Sequence, residues 1–568
     1  MSIISTRPTK ADIETTTVYV TKTEDTNGSC TVTDCSLREA IAAVSPGGTI
    51  IFNSSTMGSN SITLGSTLLV DKDLTIDGSD FYPLYIGIHG DDTYDVFYIV
   101  TGVTAYFERL AIRDGSDVSG GGIHHEGDFL QIKDCWIRDN TSILFGGAIY
   151  NNSELEIIDS NLYENTTLAY GGAIHNTENG VLTITDTKFH TNSAAEDGGA
   201  IYNQGGTVTI SGGNFYGNST TSVTSGDGGA VANNGGSLTI SGTKFEWNSA
   251  AFSGGAIYNE SGSLTISDSN FYSNTALNAD GGAIYNLEGT VNISQGSEFL
   301  DNTTALDSSG NGGAVANEGG SLTISNARFD SNTADFFGGA IYNEVGTLSI
   351  TDSMVWMNSG VNGGAIYIAN MSDMASISGS TFAHNFADGL GGAIYISTLF
   401  SSKINNSTFF DNYAGTGAGV YNAYNLTINN CTLADNHVTS SNVGVEVHNT
   451  SFGTLYLRNS ILANSGTGWD CVNLGTVHDT NNLIEANDPN NRCGIPLITA
   501  DPMLGPMGEH GGPTETRDLL PGSPAINAGD DATCEDTDQR GVHRPVGSHC
   551  DIGSVEKAYF IYLPLIMR

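Results

Sequence analysis

Between Pro83 and Pro489 the sequence contains no proline. So long a stretch without the one residue that cannot donate to a strand ladder points to uninterrupted β pairing. Basic residues are also scarce: 20 Lys and Arg stand against 62 Asp and Glu, a formal net charge of −42. A surface of that sign repels phosphate backbones, which argues against a nucleic-acid partner. No apolar run approaches the ~20 residues of a membrane-crossing helix, so no transmembrane span is expected. Only 14% of residues are charged, too few for a solvated disordered chain. The 72 glycines follow no Gly-X-Y period, which excludes a collagen helix.

What is present is a repeat. Gly146-Gly147-Ala148-Ile149-Tyr150-Asn151 is followed by Leu155-Glu156-Ile157 and by Leu162-Tyr163-Glu164-Asn165. The next copy reads Gly171-Gly172-Ala173-Ile174-His175-Asn176, Leu182-Thr183-Ile184 and Phe189-His190-Thr191-Asn192. Thirteen apolar-x-x-Asn endings, Asn140 to Asn464, recur 24 to 30 residues apart. Three short alternating runs per period are the arithmetic of an all-β parallel β-helix with three-strand coils. A leucine-rich repeat would need L-x-x-L-x-L, and a propeller blade needs a fourth strand. The spacing predicts a single rod of about fifteen coils over residues 51–469. Insertions fall between the Asn and the next Gly-Gly, from four residues (359–362) to nine (219–227 and 303–311). One corner of the coil therefore varies, and in solenoids such corners often carry binding.

Ahead of the repeats, residues 36–44 read as an amphipathic helix, with Ser36 as N-cap and Glu39 completing a capping box. This N-terminal extension and cap, residues 1–50, would cover the open first coil. After Asn464 the composition turns to Pro, Cys and Asp, so residues 470–557 are expected to form a C-terminal module. The apolar tail 558–568 is too short to span a membrane and reads as a sorting tail or a docked strand.

Three segments resemble known bacterial proteins. Cys35-Ser36-Leu37-Arg38-Glu39-Ala40 resembles the signature of CSLREA-domain proteins. The run from Leu520 to Asp530, with Asp538-Gln539-Arg540-Gly541 and Asp551-Ile552-Gly553, resembles choice-of-anchor Q domain proteins. The GGAI and FxxN repeats are similar to those of chlamydial polymorphic outer membrane proteins. These resemblances imply a right-handed, pectate-lyase-like β-helix on secreted or surface-exposed bacterial proteins, and they bring no catalytic residues. Polymorphic membrane proteins end in a translocating β-barrel, but nothing after residue 470 has its alternating ten-residue strands. Met1 to Val20 lacks the apolar core of a signal peptide, so the expectation is a mature form or a truncated start, at the cell surface or outside the cell.

Cysteine placement fits an oxidising compartment. Cys30 and Cys35, Cys471 and Cys493, and Cys534 and Cys550 lie close in sequence in the irregular ends, where disulfides help most. Each couple is expected to pair. Cys135 and Cys431 sit five residues before a ladder Asn, where other coils place Ser160, Thr187, Thr243 or Ser269. They are expected to be buried free thiols.

Several side chains are candidates for binding. Alternation turns Tyr150, Tyr202, Tyr258, Tyr285, Tyr342, Tyr367, Tyr395 and Tyr421 outward in one row, shared with His124 and His175. The row is either a stacking surface for sugar rings or an aromatic ladder that stabilises the sheet, and the ladder is the blander reading. A second, more broken row holds Tyr163, His190, Tyr216, Tyr272, Trp356 and Phe410. The inward asparagines read as structural amide ladders. Asp197, Asp227 and Asp280 precede Gly-Gly and are candidate calcium ligands, or the acid and base of a glycosidase, against the alternative of solvated loop-tip charges.

The composition and repeats favour a non-catalytic secreted or surface solenoid, acting as adhesin, stalk or envelope component. Its partners would be extracellular carbohydrate or protein, with self-association also open. The alternative is a polysaccharide lyase or glycoside hydrolase. A lyase needs a cationic base, and Lys188, Lys244 and Arg328 lie on the third-strand row rather than at the variable corner. The net charge also opposes a polyanionic substrate.

Overall fold

The computed structural model describes residues 16–305, 310–369, 371–439, 443–466, 468–490 and 493–557. The apolar tail 558–568 lies outside them. Contacts divide the chain into two compact units, Met1–Asn218 and Ser219–Arg568, and each is a parallel β-solenoid. Among the described residues the first unit has six coils and the second ten, about sixteen turns against the fifteen expected.

One coil explains the rest. In the first unit Ile149–Asn151, Glu154–Ile158 and Asn161–Tyr163 form its three strands. They belong to the first, second and third sheets, and each pairs in register with its equivalents one coil away. Left-handed residues turn the chain at Asp159 (φ 49°), between the second and third strands, and at Glu164 (φ 56°) and Gly146 (φ 59°), which lie between a third strand and the next first strand. Glycine, Asp and Asn tolerate that conformation best, which accounts for their recurrence there. The second glycine of the pair has another reason: a Cβ on Gly147 would lie 2.2 Å from the Gly172 carbonyl oxygen. A fourth ladder, not anticipated from three runs per repeat, opens the variable segment directly after the ladder Asn. In the first unit it includes Thr141–Phe145, Thr166–Thr167 and Ser193–Ala194.

Inward positions stack like on like. In the second unit the rings of Phe245, Phe271, Phe299 and Phe329 lie 4.7–4.8 Å apart and nearly parallel, all fully buried. The ladder asparagines are equally buried and fully used. Asn274 donates from both N and Nδ2 to Asn302 Oδ1 and from Nδ2 to the Phe245 carbonyl, while its Oδ1 accepts both donors of Asn248. This ladder ends where Asn436 donates to the carboxylate of Glu446, a fully buried group whose pKa burial pushes well above the usual carboxylate range. Small hydroxyl residues form another inward ladder, each accepting from the backbone N–H one coil away, as Ser160 does from Cys135 N. Cys135 Sγ takes the same place, accepting from Leu110 N at 3.4 Å.

Both ends are irregular and cross-linked as expected. The disulfides are Cys30–Cys35, Cys471–Cys493 and Cys534–Cys550, and Cys135 and Cys431 are buried and free. Helix α1 (Leu37–Ala43) has its full capping box. Arg38 forks onto the Asp25 carboxylate at 2.8–2.9 Å and reaches the Thr67 carbonyl. Burial raises the pKa of Glu39, but hydrogen bonds from Ser36, Thr26 and Gly28 outweigh it and bring the group down to about 2.

In the second unit the coils run past residue 470, the boundary expected from composition. Trp469–Asn473, Thr476–Thr480 and Leu483–Ile484 still pair as one strand of each sheet, because proline enters only after them, at Pro489. The remaining segment folds back on the third sheet. Gln539 Nε2 donates to Thr381 and Thr514 hydroxyls, and its Oε1 accepts from Thr408. Leu519, Ala525, Ile552 and Val555 pack on Ile461, Ala463 and Leu483. The buried Arg544–Glu556 pair (2.8 Å) and Arg540, bound to Asp538 and Asp518, hold the segment together.

Replacing Asn274 with Ala removes the acceptor for two Asn248 donors and the donor to Phe245. We expect a loss of about 3 kcal/mol or more, read as a lower denaturant midpoint of the second unit. A midpoint unchanged from wild type would refute the ladder's role.

Candidate functional site

Within each unit the tyrosines of the first sheet lie in register, and most of their rings cover one another. In the first unit Tyr150 stacks on His175 (5.7 Å, 8°) and His175 on Tyr202 (5.3 Å, 22°). In the second, Tyr258 stacks on Tyr285 (5.6 Å), Tyr342 meets Tyr367 (5.7 Å), and Tyr367, Tyr395 and Tyr421 continue at 4.7 and 5.1 Å. Tyr202, Tyr285 and Tyr342 are buried, and burial raises the pKa of the Tyr285 and Tyr342 hydroxyls. A sugar ring would have to displace a neighbouring ring to reach most of these faces.

Asp197 lies in the first unit, Asp227 and Asp280 in the second. Asp227 Oδ1 accepts from Ser253 N at 2.7 Å, and Asp280 Oδ1 accepts from Asn311 N. The residue before Gly-Gly thus ties one coil to the backbone of the next. Burial, then a shared hydrogen bond with Glu318, raises the pKa of Asp280 far above 3.8, and Tyr285 also donates to Glu318. No group of three His, Cys, Asp or Glu that would hold a metal ion is found among the described residues.

An exposed aromatic surface lined by two hollows lies on the third sheet of the first unit. Its strands Ile86–His89, Leu110–Arg113, Trp136–Arg138, Asn161–Tyr163, Lys188–His190 and Asn214–Tyr216 pair in register. Ile88, Ile112, Ile137, Leu162, Phe189 and Phe215 point inward and are fully buried. The alternation therefore sets His89, Arg113, Arg138, Tyr163, His190 and Tyr216 outward in one row, with Gly87, Ala111, Trp136, Asn161, Lys188 and Asn214 beside it. Gly87 and Ala111 are small, so a hollow of about 350 Å³ opens between Trp136 and the loop that carries Pro83, Leu84 and Tyr85. A second hollow of about 410 Å³ lies on the other side of Trp136, lined by Tyr163, Glu164, His190 and Tyr216.

Trp136 remains 39% exposed and Tyr216 43%. Tyr85 is held against Trp136 (5.0 Å) by its hydroxyl, which donates to Asp134 at 2.7 Å, and Arg109 lies over the rings of Tyr82 and Tyr85. Arg138 sits 5.7 Å over Tyr163. Burial, and then the charge of Arg113, lowers the pKa of His89, which favours the neutral ring. Such a surface offers stacking faces beside charged donors.

Sequence reasoning named Tyr163, His190 and Tyr216 in the weaker of its two rows but missed Trp136, Arg113, Arg138 and His89. The signal was available: the same position in Trp136-Ile137-Arg138-Asp139-Asn140 holds arginine instead of an aromatic. The pocket walls were not, because the loop at residues 82–85 has no counterpart in the repeat.

Residues 186–204 and 379–397 match the family model described as the Chlamydia polymorphic membrane protein repeat. No curated protein and no solved structure matches the chain. Each matched stretch runs from a third-sheet strand through the ladder Asn and the variable corner into the Gly-Gly strand, so the likeness is one of repeat architecture. No helix among the described residues is long and apolar enough to cross a membrane.

Two outcomes follow from the buried groups. The triple change Tyr258→Ser, Tyr285→Ser and Tyr342→Ser should lower the melting temperature, since aromatic pairs contribute ~0.5–1.5 kcal/mol each beyond burial; an unchanged melt would contradict the ladder role. Because the folded pKa of Asp280 lies above its unfolded value of 3.8, the folded chain holds that proton more tightly. Its contribution is complete below the unfolded pKa and is lost as pH rises through the folded one. Asp280→Asn should therefore stabilise the second unit at about pH 9 relative to wild type and do so much less at about pH 4, as followed by thermal melts. Equal shifts at both pH values would overturn this.

Proposed function

We propose that the protein is a secreted or cell-surface β-solenoid of structural type that binds extracellular carbohydrate on the third-sheet face of its first unit. The observation that carries this reading is Trp136, exposed between two hollows and flanked by Tyr85, Tyr163 and Tyr216. Indole and phenol faces at the coil spacing of ~4.8 Å suit successive rings of a glycan laid along the coils. The likeness to polymorphic membrane protein repeats, the disulfides and the acidic surface support a location outside the cytoplasm. The resemblance to CSLREA and choice-of-anchor proteins points the same way.

Binding is favoured over cleavage by the lining. Among the described residues, Glu164 is the one carboxylate facing the second hollow, and none faces the first. Glycoside hydrolysis ordinarily needs two. The lyase or hydrolase reading is tested in the same experiment by looking for new reducing ends or unsaturated products.

A glycan array probed with the full chain, with and without calcium, is the direct test. Trp136→Ala should cut binding at least about tenfold, in line with the ~1–3 kcal/mol of a stacked ring, and leave the far-UV spectrum unchanged. The tyrosine triple variant, if folded, should bind as wild type. Loss of binding in the triple variant but not in Trp136→Ala would move the site to the first sheet.

A further inference from the structure

We infer that the hollow beside Trp136 selects acidic glycans, with the carboxylate of a uronic acid sugar docking on the guanidinium ends of Arg113 and Arg138. This rests on the carbohydrate reading above and adds the substrate class. Arg113 is held from behind. Its Nε donates to His89 Nε2 at 2.9 Å, and His89 Nδ1 faces Asp114 Oδ2 at 3.0 Å. Asp114 itself lies 3.5 Å from Arg113 Nε. Both Nη groups of Arg113 are left without a protein partner among the described residues, on a side chain that lines the hollow. One coil on, Arg138 pairs through Nη1 with Asp139, lies over Tyr163, and has a buried Nε with no partner.

A planar fork with two free N–H groups matches the two oxygens of a carboxylate, and a hydroxyl of a neutral sugar fills it less completely. The two arginines occupy paired positions on adjacent coils. Their ~4.8 Å spacing is close to the length of one sugar, so successive acidic residues would meet successive guanidinium groups. The net charge of −42 opposes a polyanion at long range. At physiological salt that repulsion is screened beyond ~8 Å, whereas the docking contacts act at hydrogen-bond distance. His89 and Asp114 are positioning residues here: they aim the fork and leave its outer edge to the ligand.

The test measures full-chain binding to oligogalacturonate, to the same oligosaccharide fully methyl-esterified, and to dextran sulfate, at ~0.15 M salt. We expect the acid to bind about tenfold tighter than the ester. Arg113→Gln with Arg138→Gln should bring the two within twofold while ester binding persists. Arg113→Lys, which keeps the charge but not the fork, should lose most of the preference. Equal binding of acid and ester by wild type overturns the inference and leaves the carbohydrate reading standing, as does an unchanged ratio in the folded double variant. Retention on dextran sulfate alone also overturns it. Failure to bind any glycan removes both. If the double variant misfolds, the wild-type acid-to-ester ratio decides.

Discussion

A buried amide is expensive unless every donor and acceptor is met, and this chain meets that cost by repetition. When coils stack in parallel register, each ladder asparagine finds its own copy one coil away. In the second unit this runs through Asn248, Asn274, Asn302, Asn332, Asn358, Asn385 and Asn412 to Asn436. The same residue also satisfies a strand carbonyl, so the corner and the core are fixed by one side chain. A slip of one residue would leave these amides unpaired in an apolar interior. The stacked phenylalanines then follow from a register already set.

The ladder also accounts for the ends. Its last member needs an acceptor that is not an asparagine, and Glu446 provides it together with a hydrogen bond from Ser465. At the N-terminus α1 buries Leu37, Ala40 and Ile41. Cys35, Ser36, Arg38 and Glu39 each make a bond that holds the helix or the preceding loop. The C-terminal motif has the same character: Asp538, Gln539, Arg540 and Asp551 are spent on internal and solenoid contacts. The most distinctive sequence signatures are thus architectural, and the candidate binding surface lies among the ordinary repeats.

Outward positions are released from the ladder's demands, and neighbours decide their use. On the third sheet of the second unit, where the C-terminal segment folds back, Ala383, Ala434 and Ala463 occupy the outward row and are fully buried. On the same sheet of the first unit the row carries Arg113, Arg138, Tyr163 and Tyr216. Small residues there would leave no wall for a hollow. Beside the covered row Thr381, Thr408 and Thr432 bond to Gln539 and Ser554, and Phe410, the one large member of the row among these strands, packs under Arg517.

The parallel β-helix, the inward asparagines, the helix over 36–44, the three disulfides and the two free thiols were all legible in the sequence. Each is a local or strictly periodic property, and a period of about 26 residues leaves little freedom once three strands are counted. The outward tyrosine row was legible too, but whether its ring faces are open depends on the ring one coil away. Asp280 finds Glu318, a residue 38 positions on, because the coil brings them together. The hollow beside Trp136 needs a loop from two coils earlier, and the free edge of Arg113 exists because His89 and Asp114 hold its other side. Periodicity told which way each side chain points; only the stacked coils decided what it meets there, since those neighbours are about one repeat or more away in the chain.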